Sequence, residues 1–259
     1  MQRSAPLALV LLASAILLPS SAQAYVARRT EGGQPVHWGA ERITLVVDPS
    51  VTAIDPEAIT AVTRAFAAWG AVSGASAPEV VITEGAVDEV GYRSERENRS
   101  TLRYLPSGYE PAGRALGITL LSFDDSGRIL DADIVINGGS ARGFAMLAAG
   151  GPASEREPYD LENVLTHEAG HFFGLAHNDE DVDVTMYFSS ARGETKKRDL
   201  AGDDEDGLRF LYPVTAELPA SCSAAPAPRR GPGGLCVLAA LLALAGLRGP
   251  RRRHVPSPR

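Results

Sequence analysis

The sequence predicts an α+β domain, in which short apolar strands alternate with amphipathic helices. Three observations carry this. Several Val/Ile/Leu-rich runs are bounded by Gly, Pro, Asp and Ser; one stretch repeats its apolar residues at helical spacing; and histidines four apart in VLTHEAGHFFGLAH make chemical sense on a helix.

In chain order, RITLVVDPS (Arg42 to Ser50) reads as a buried strand. Asp55-Pro56 then opens a helix with Pro at its first position and Ile59, Val62, Phe66 and Trp69 along one face. EVVITEG is a second strand, and residues 86–113 are polar and glycine-punctuated, with a strand in STLRYL. LGITLLSF and ILDADIVIN form two more, joined by the turn Asp124-Asp125-Ser126-Gly127. A glycine-rich loop and Pro158 lead to Asp160, the expected N-cap of the histidine-bearing helix. No internal repeat is present.

Both ends differ from this central part. Arg3, the apolar run Leu7 to Leu18 and Ala22-Gln23-Ala24 read as a signal peptide over residues 1–24, so that the mature chain begins near Tyr25; an N-terminal anchor is the other reading. The domain is expected over 25–215 and a Pro/Ala/Gly-rich linker over 216–234. Residues 235–259 carry an apolar run from Leu235 to Leu247 and then Arg251 to Arg253, the order of a membrane segment followed by a positive stop. Export to the cell surface or the extracellular space follows, with membrane attachment through the tail. The layout resembles the C-terminal sorting tails of myxobacterial surface proteins, which implies processing at Cys222; a plain C-terminal anchor is the alternative.

Setting aside Arg3 and the seven arginines from Arg229 onward leaves 17 of the 25 basic residues against 32 acids. So acidic a domain disfavours nucleic acid and anionic membrane surfaces as partners. Both cysteines, Cys222 and Cys236, lie in the tail, so the domain has no disulfide.

Chemistry is concentrated between Val164 and Phe188, which hold three of the five histidines. On a helix, His167 and His171 project from one face one turn apart and reach a single Zn²⁺. Glu168 can address a metal-bound water as general base and later protonate a leaving amine. Gly174 can adopt a left-handed conformation that ends the helix and lets His177 return as third ligand. Three imidazoles leave a fourth position open, as in catalytic zinc sites. H-E-x-x-H alone arises by chance in roughly one chain in a hundred of this size; with Gly174 and His177 the figure is roughly one in a hundred thousand.

The pattern H-E-x-x-H-x-x-G-x-x-H is the metzincin signature, and Thr185-Met186-Tyr187 resembles the family's Met-turn, which implies that Met186 supports the zinc site from below. From about Val36 to Pro213 the chain resembles the matrixin branch: AITAVTRAFAAWGAVSG is similar to its first helix, GITLLSF to its substrate-binding edge strand, and LAGDDEDGLRFLYP, with Asp203 and Asp204, to its closing helix. The resemblance implies a twisted, mostly parallel five-stranded sheet with an antiparallel edge strand, two long helices, an active-site cleft and a C-terminal helix. It also implies that a protein or peptide substrate lies extended along Ile118, Thr119, Leu120, Leu121, Ser122 and Phe123.

The chain departs from the family in two respects. No cysteine lies between Tyr25 and Glu217 to block the zinc, and Asp133 stands roughly where a histidine of a second zinc site would be. Asp124, Asp125, Asp131 and Asp133 are candidate Ca²⁺ ligands, with exposed turn acids as the simpler reading. The expectation is a monomeric zinc endopeptidase with one zinc per chain. A catalytically slow surface adhesin, or a zinc hydrolase of non-peptide amides, would retain the same motif.

Overall fold

The apolar runs pair into one sheet. The structure, a computed structural model, describes residues 25–214 apart from 96–97, 140–141 and 152; the expected signal peptide, linker, apolar tail and Cys222 lie outside the described residues. Strands β1 (Arg42–Val47), β2 (Glu79–Glu84), β3 (Ser100–Leu105), β4 (Gly117–Phe123) and β5 (Ile129–Asn137) form a sheet in the order β2-β1-β3-β5-β4. All neighbouring pairs are parallel except β4 with β5, so β4 is an antiparallel edge strand. This is the α+β architecture expected. The β4–β5 hairpin closes through Gly127, whose φ of 88° and whose N–H bond to the Asp124 carbonyl (2.9 Å) define the turn.

Two element boundaries differ from expectation. β1 ends at Val47 rather than continuing to Ser50, because Pro49 has no N–H for the ladder and Asp48 caps a one-turn helix α1 (Pro49–Thr52), accepting the Ser50 N–H at 2.9 Å. Helix α2 runs Ala58–Gly70, two residues later than Asp55-Pro56 suggests. Asp55 spends its side chain on the N–H groups of Glu57 (2.8 Å) and Met146 (3.0 Å), so Pro56 sits in the turn before the helix. Two short pieces, β6 (Phe144–Ala145) and β7 (Tyr159–Asp160), pair with each other and lead into α3 (Leu161–Phe172); α4 (Gly202–Leu211) closes the domain. Among the described residues no helix is long and apolar enough to cross a membrane.

The core joins Leu45, Val47, Leu102, Ile134 and Ile136 of the sheet to the apolar faces of α2 and α3. Phe66 meets Phe172 edge-on at 5.2 Å, and the indole N–H of Trp69 donates to the Thr166 carbonyl (2.9 Å), so α2 fixes both the position and the rotation of α3. Gly170 is what allows this approach: a Cβ there would lie 2.2 Å from Met186 Sδ and 2.7 Å from Trp69 Cζ2. Gly170→Ala is therefore expected to destabilise the fold by about 1–3 kcal/mol through overpacking. Thermal unfolding should show a Tm lower by roughly 3–10 °C. An unchanged Tm would mean that Met186 moves aside freely and supports nothing.

Candidate metal centre

Helix α3 begins where Asp160 accepts the Asn163 N–H (2.8 Å), as its N-cap. Arg198 holds the same buried carboxylate through two contacts of 2.8 and 2.5 Å, which fixes the start of the helix against the chain that follows the histidine-bearing segment. One turn of helix separates His167 and His171, whose rings lie 4.8 Å apart. The helix stops at Phe172, and Gly174 takes φ 101°, in space where a Cβ would lie 2.1 Å from the Val36 carbonyl oxygen. The reversal brings His177 to 5.2 Å from His167 and 4.7 Å from His171, ring to ring.

The imidazoles are held in one orientation by main-chain acceptors. Nδ1 of His167 lies 2.7 Å from the Thr185 carbonyl and Nδ1 of His171 lies 2.8 Å from that of Leu175. A carbonyl can only accept, so each Nδ1 carries the proton and each Nε2 is left as a bare lone pair. Burial pushes His167 well below its ordinary pKa, His171 down to about 4, and His177 in the same direction, which keeps all three neutral. His167 Nε2 and His177 Nε2 lie 3.2 Å apart. Two nitrogens bound at zinc distances in a tetrahedral sphere stand about 3.3 Å apart, so the donor set and its spacing fit a tetrahedral divalent ion. Among the described residues this is the one group of three or more His, Cys, Asp or Glu side chains whose ligand atoms come within 4.8 Å of one another.

Glu168 is 4% exposed, and burial pushes its carboxyl up to about 7. A divalent cation beside it would pull that value back down. Thr119 Oγ1 donates to Glu168 Oε2 at 2.7 Å, and Oε1 faces Gly117, where a Cβ would approach to 2.7 Å. The edge strand β4 thus steers the carboxylate through one hydroxyl and one missing side chain. Leu121 and Phe123, on the same side of the strand, pack on the core. Ile118, Leu120 and Ser122 alternate to the opposite face, and the β4 edge away from β5 pairs with no other strand among the described residues.

Met186 is buried against Gly170, which lies between His167 and His171 on the helix. Its turn is held from below: the Asp204 carboxylate, itself 1% exposed, accepts the N–H groups of Thr185 (2.8 Å), Met186 (3.0 Å) and Ala201 (2.9 Å). The first two fix the peptide whose carbonyl orients His167, and the third caps α4. Asp203 accepts from Asn178 Nδ2 at 3.0 Å, beside the third histidine.

The remaining candidates are dispersed. Asp124 is occupied within its turn, accepting N–H groups from Ser126 and Arg128, and Asp125 stands at the exposed tip. Asp131 and Asp133 are buried on β5, and Asp133 accepts from Thr101 N–H (2.8 Å) and from Gly91 N–H. These four aspartates do not come together as the histidines do. His37 lies away from the triad, with Nδ1 3.0 Å from the Trp38 carbonyl and its ring edge-on to Tyr212. A cavity of about 600 Å³ lined by Glu162, Glu194 and Arg198 contains none of the triad.

Two parts of the site carry no signal in the sequence, the Thr119 hydroxyl on Glu168 and Lys197, which lines the cleft beside Glu168; Asp204 stands out in the closing-helix resemblance, but nothing in the sequence shows that it clamps the methionine turn. Thr119 reads only as one strand residue among six, and Lys197 stands in the stretch YFSSARGETKK after the methionine turn, which carries no recognisable specificity signature.

A five-stranded sheet with an antiparallel edge, a helix bearing two histidines, a third histidine after a glycine reversal and a methionine turn beneath define the metzincin fold. The matrixin family model matches residues 37–213, and the chain belongs to the matrixin family. Metalloendoproteinase 1 of Glycine max is 29% identical over 178 residues, which is 68% of this chain and 52% of that protein. Metalloendoproteinase 1-MMP of Arabidopsis thaliana is 51% identical over 53 residues, 20% of this chain and 14% of its own length, and 5-MMP of the same plant is 42% identical over 53 residues. The chain therefore spans about half the length of the soybean relative and a smaller share of the Arabidopsis ones.

Proposed function

We propose that this chain is a zinc-dependent endopeptidase, exported and held at the cell surface by its C-terminal tail. The observation that carries the reading is the convergence of three neutral imidazoles, with Nε2 of His167 and His177 3.2 Å apart, beside the buried carboxyl of Glu168. Membership of the matrixin family and the metalloendoproteinase names of its relatives point the same way. His167, His171 and His177 hold the ion. Zinc supplies Lewis acidity, polarising a scissile carbonyl and making a water easier to deprotonate.

Glu168 then does the proton work. Thr119 engages Oε2, and Oε1, beside Gly117, takes the proton of the attacking water and delivers it to the leaving amine nitrogen. Water and peptide thereby become a carboxylate and an amine. The β4 edge, which pairs with no other strand among the described residues, offers main-chain groups to an extended substrate, as another strand would. The reading is tested by zymography of the purified chain on casein. A clearing that chelator abolishes and added zinc restores is expected, and no clearing with zinc fully loaded would reject it.

Zinc content tests the ligands separately. Elemental analysis after exhaustive dialysis should return about one zinc per chain for the wild type and clearly less for His177→Ala, because two imidazoles cannot retain the ion against dialysis as three do. Undiminished zinc in the variant would remove His177 from the ligand set. For attachment, the tail supplies the apolar run Leu235 to Leu247 followed by arginines. Truncation before Leu235 should release the protein to the medium; retention on cells would place the anchor elsewhere.

A further inference from the structure

The cleft beside the triad, about 100 Å³, is lined by Glu168, His177, Leu116, Phe188, Ser190 and Lys197 among others. Lys197 is 1% exposed, an unusual state for a lysine. Its backbone is used up in the fold: the N–H donates to Asn163 Oδ1 (2.8 Å), and the carbonyl accepts from Thr185 Oγ1 (3.2 Å). The side chain is not used up. Nζ donates to the Tyr187 carbonyl and lies 5.9 Å from the centre of that ring. An ammonium has three donors, and among the described residues this carbonyl is the one hydrogen-bond acceptor it meets. No carboxylate of the described residues comes within ion-pair distance; Glu194, Asp204 and Glu168 act on it only through space.

A buried, unpaired cation is costly, and burial pushes the Lys197 amine down to about 8, which still leaves it protonated at neutral pH. An anionic group entering the cleft would offer the missing acceptors and the missing charge together. The cleft has room for a short carboxylate side chain.

We propose that Lys197 makes this cleft selective for an acidic side chain, Asp or Glu, at a residue flanking the peptide bond to be cut. The inference rests on the endopeptidase reading and adds the substrate class to it. Lys197 is a specificity residue here, and the alternative is that it only braces the Tyr187 carbonyl behind the methionine turn.

The test uses zinc-loaded full-length protein and a proteome-derived peptide library, with cleavage sites read by mass spectrometry. Enrichment of Asp and Glu at one position beside the cut is expected in the wild type. Efficient cleavage without that enrichment overturns the proposal and leaves the endopeptidase reading standing. Lys197→Met should lower kcat/KM for an acidic peptide at least about tenfold relative to its Gln or Asn counterpart, and Lys197→Arg should keep the preference. A variant that loses activity on both peptides equally, with their ranking intact, assigns Lys197 to bracing and overturns the proposal. Direct binding of the same peptide pair to the zinc-loaded wild type decides the matter if no peptide is cut. Tighter binding of the acidic member supports an anion-selective cleft even as the endopeptidase reading falls, and equal binding overturns it.

Discussion

Glu168→Gln is expected to keep zinc and fold while lowering kcat by about 10²–10⁴-fold, the range a positioned general base contributes. The amide has the shape of the carboxylate, and the site has room for it: Thr119 Oγ1 can still meet an oxygen, and Gly117 opposes the other terminal atom without a side chain. What the amide lacks is basicity. It cannot take a proton from water or return one to the leaving nitrogen, so the loss should fall on kcat, with substrate affinity little changed. Turnover of a fluorogenic peptide and zinc by elemental analysis, measured on the same preparation, check both halves. Activity near wild type with zinc in place would reject Glu168 as the base. Lost zinc would show that the substitution disturbs the triad instead.

Asp204→Ala should be the most destabilising single change near the site, although Asp204 touches neither zinc nor substrate. Its carboxylate accepts three buried N–H groups, from Thr185, Met186 and Ala201. Truncation orphans all three, and each unsatisfied buried donor costs about 1–3 kcal/mol. A loss of several kcal/mol is therefore expected, large against the roughly 5–15 kcal/mol of a whole domain. A second effect follows from geometry, because the Thr185 carbonyl orients His167 at 2.7 Å. Releasing that turn should weaken zinc binding about 10–100-fold even where the variant folds, as with other partners of metal-ligating histidines. Asp204→Asn, which retains one acceptor oxygen, should lie between. Denaturant unfolding of the metal-free chain and zinc competition against a chelator separate the two effects. Wild-type values in both would mean that water substitutes for the carboxylate and that the methionine turn holds itself.

Much of the fold was legible in order along the chain. β2 to β5 lie where period-2 and apolar runs indicate them, and α2 and α3 where apolar residues recur at helical spacing. The two misplaced boundaries share a cause. Both follow an Asp-Pro pair, and Asp48 and Asp55 each use their side chains on nearby N–H groups, which starts a turn where pattern alone continues a strand or begins a helix. The triad was legible because its geometry is local: four residues of helix set His167 against His171, and one glycine sets the return of His177.

By itself, then, the sequence determined the elements, the family pattern and the three histidines that converge, since each is written in the spacing of neighbouring residues. Tertiary structure alone decided what surrounds them. Thr119 meets Glu168 across 49 residues, and Asp204 holds Thr185 across 19. Gly170 yields its side-chain volume to Met186, and Lys197 is buried at the cleft with one acceptor among the described residues. The physical reason is the range of the forces that decide each feature. Backbone sterics and hydrogen bonding act between residues a few positions apart and leave a period in the sequence. Close packing and the pairing of buried polar groups act between whatever the folded chain brings into contact, at separations that no local pattern records.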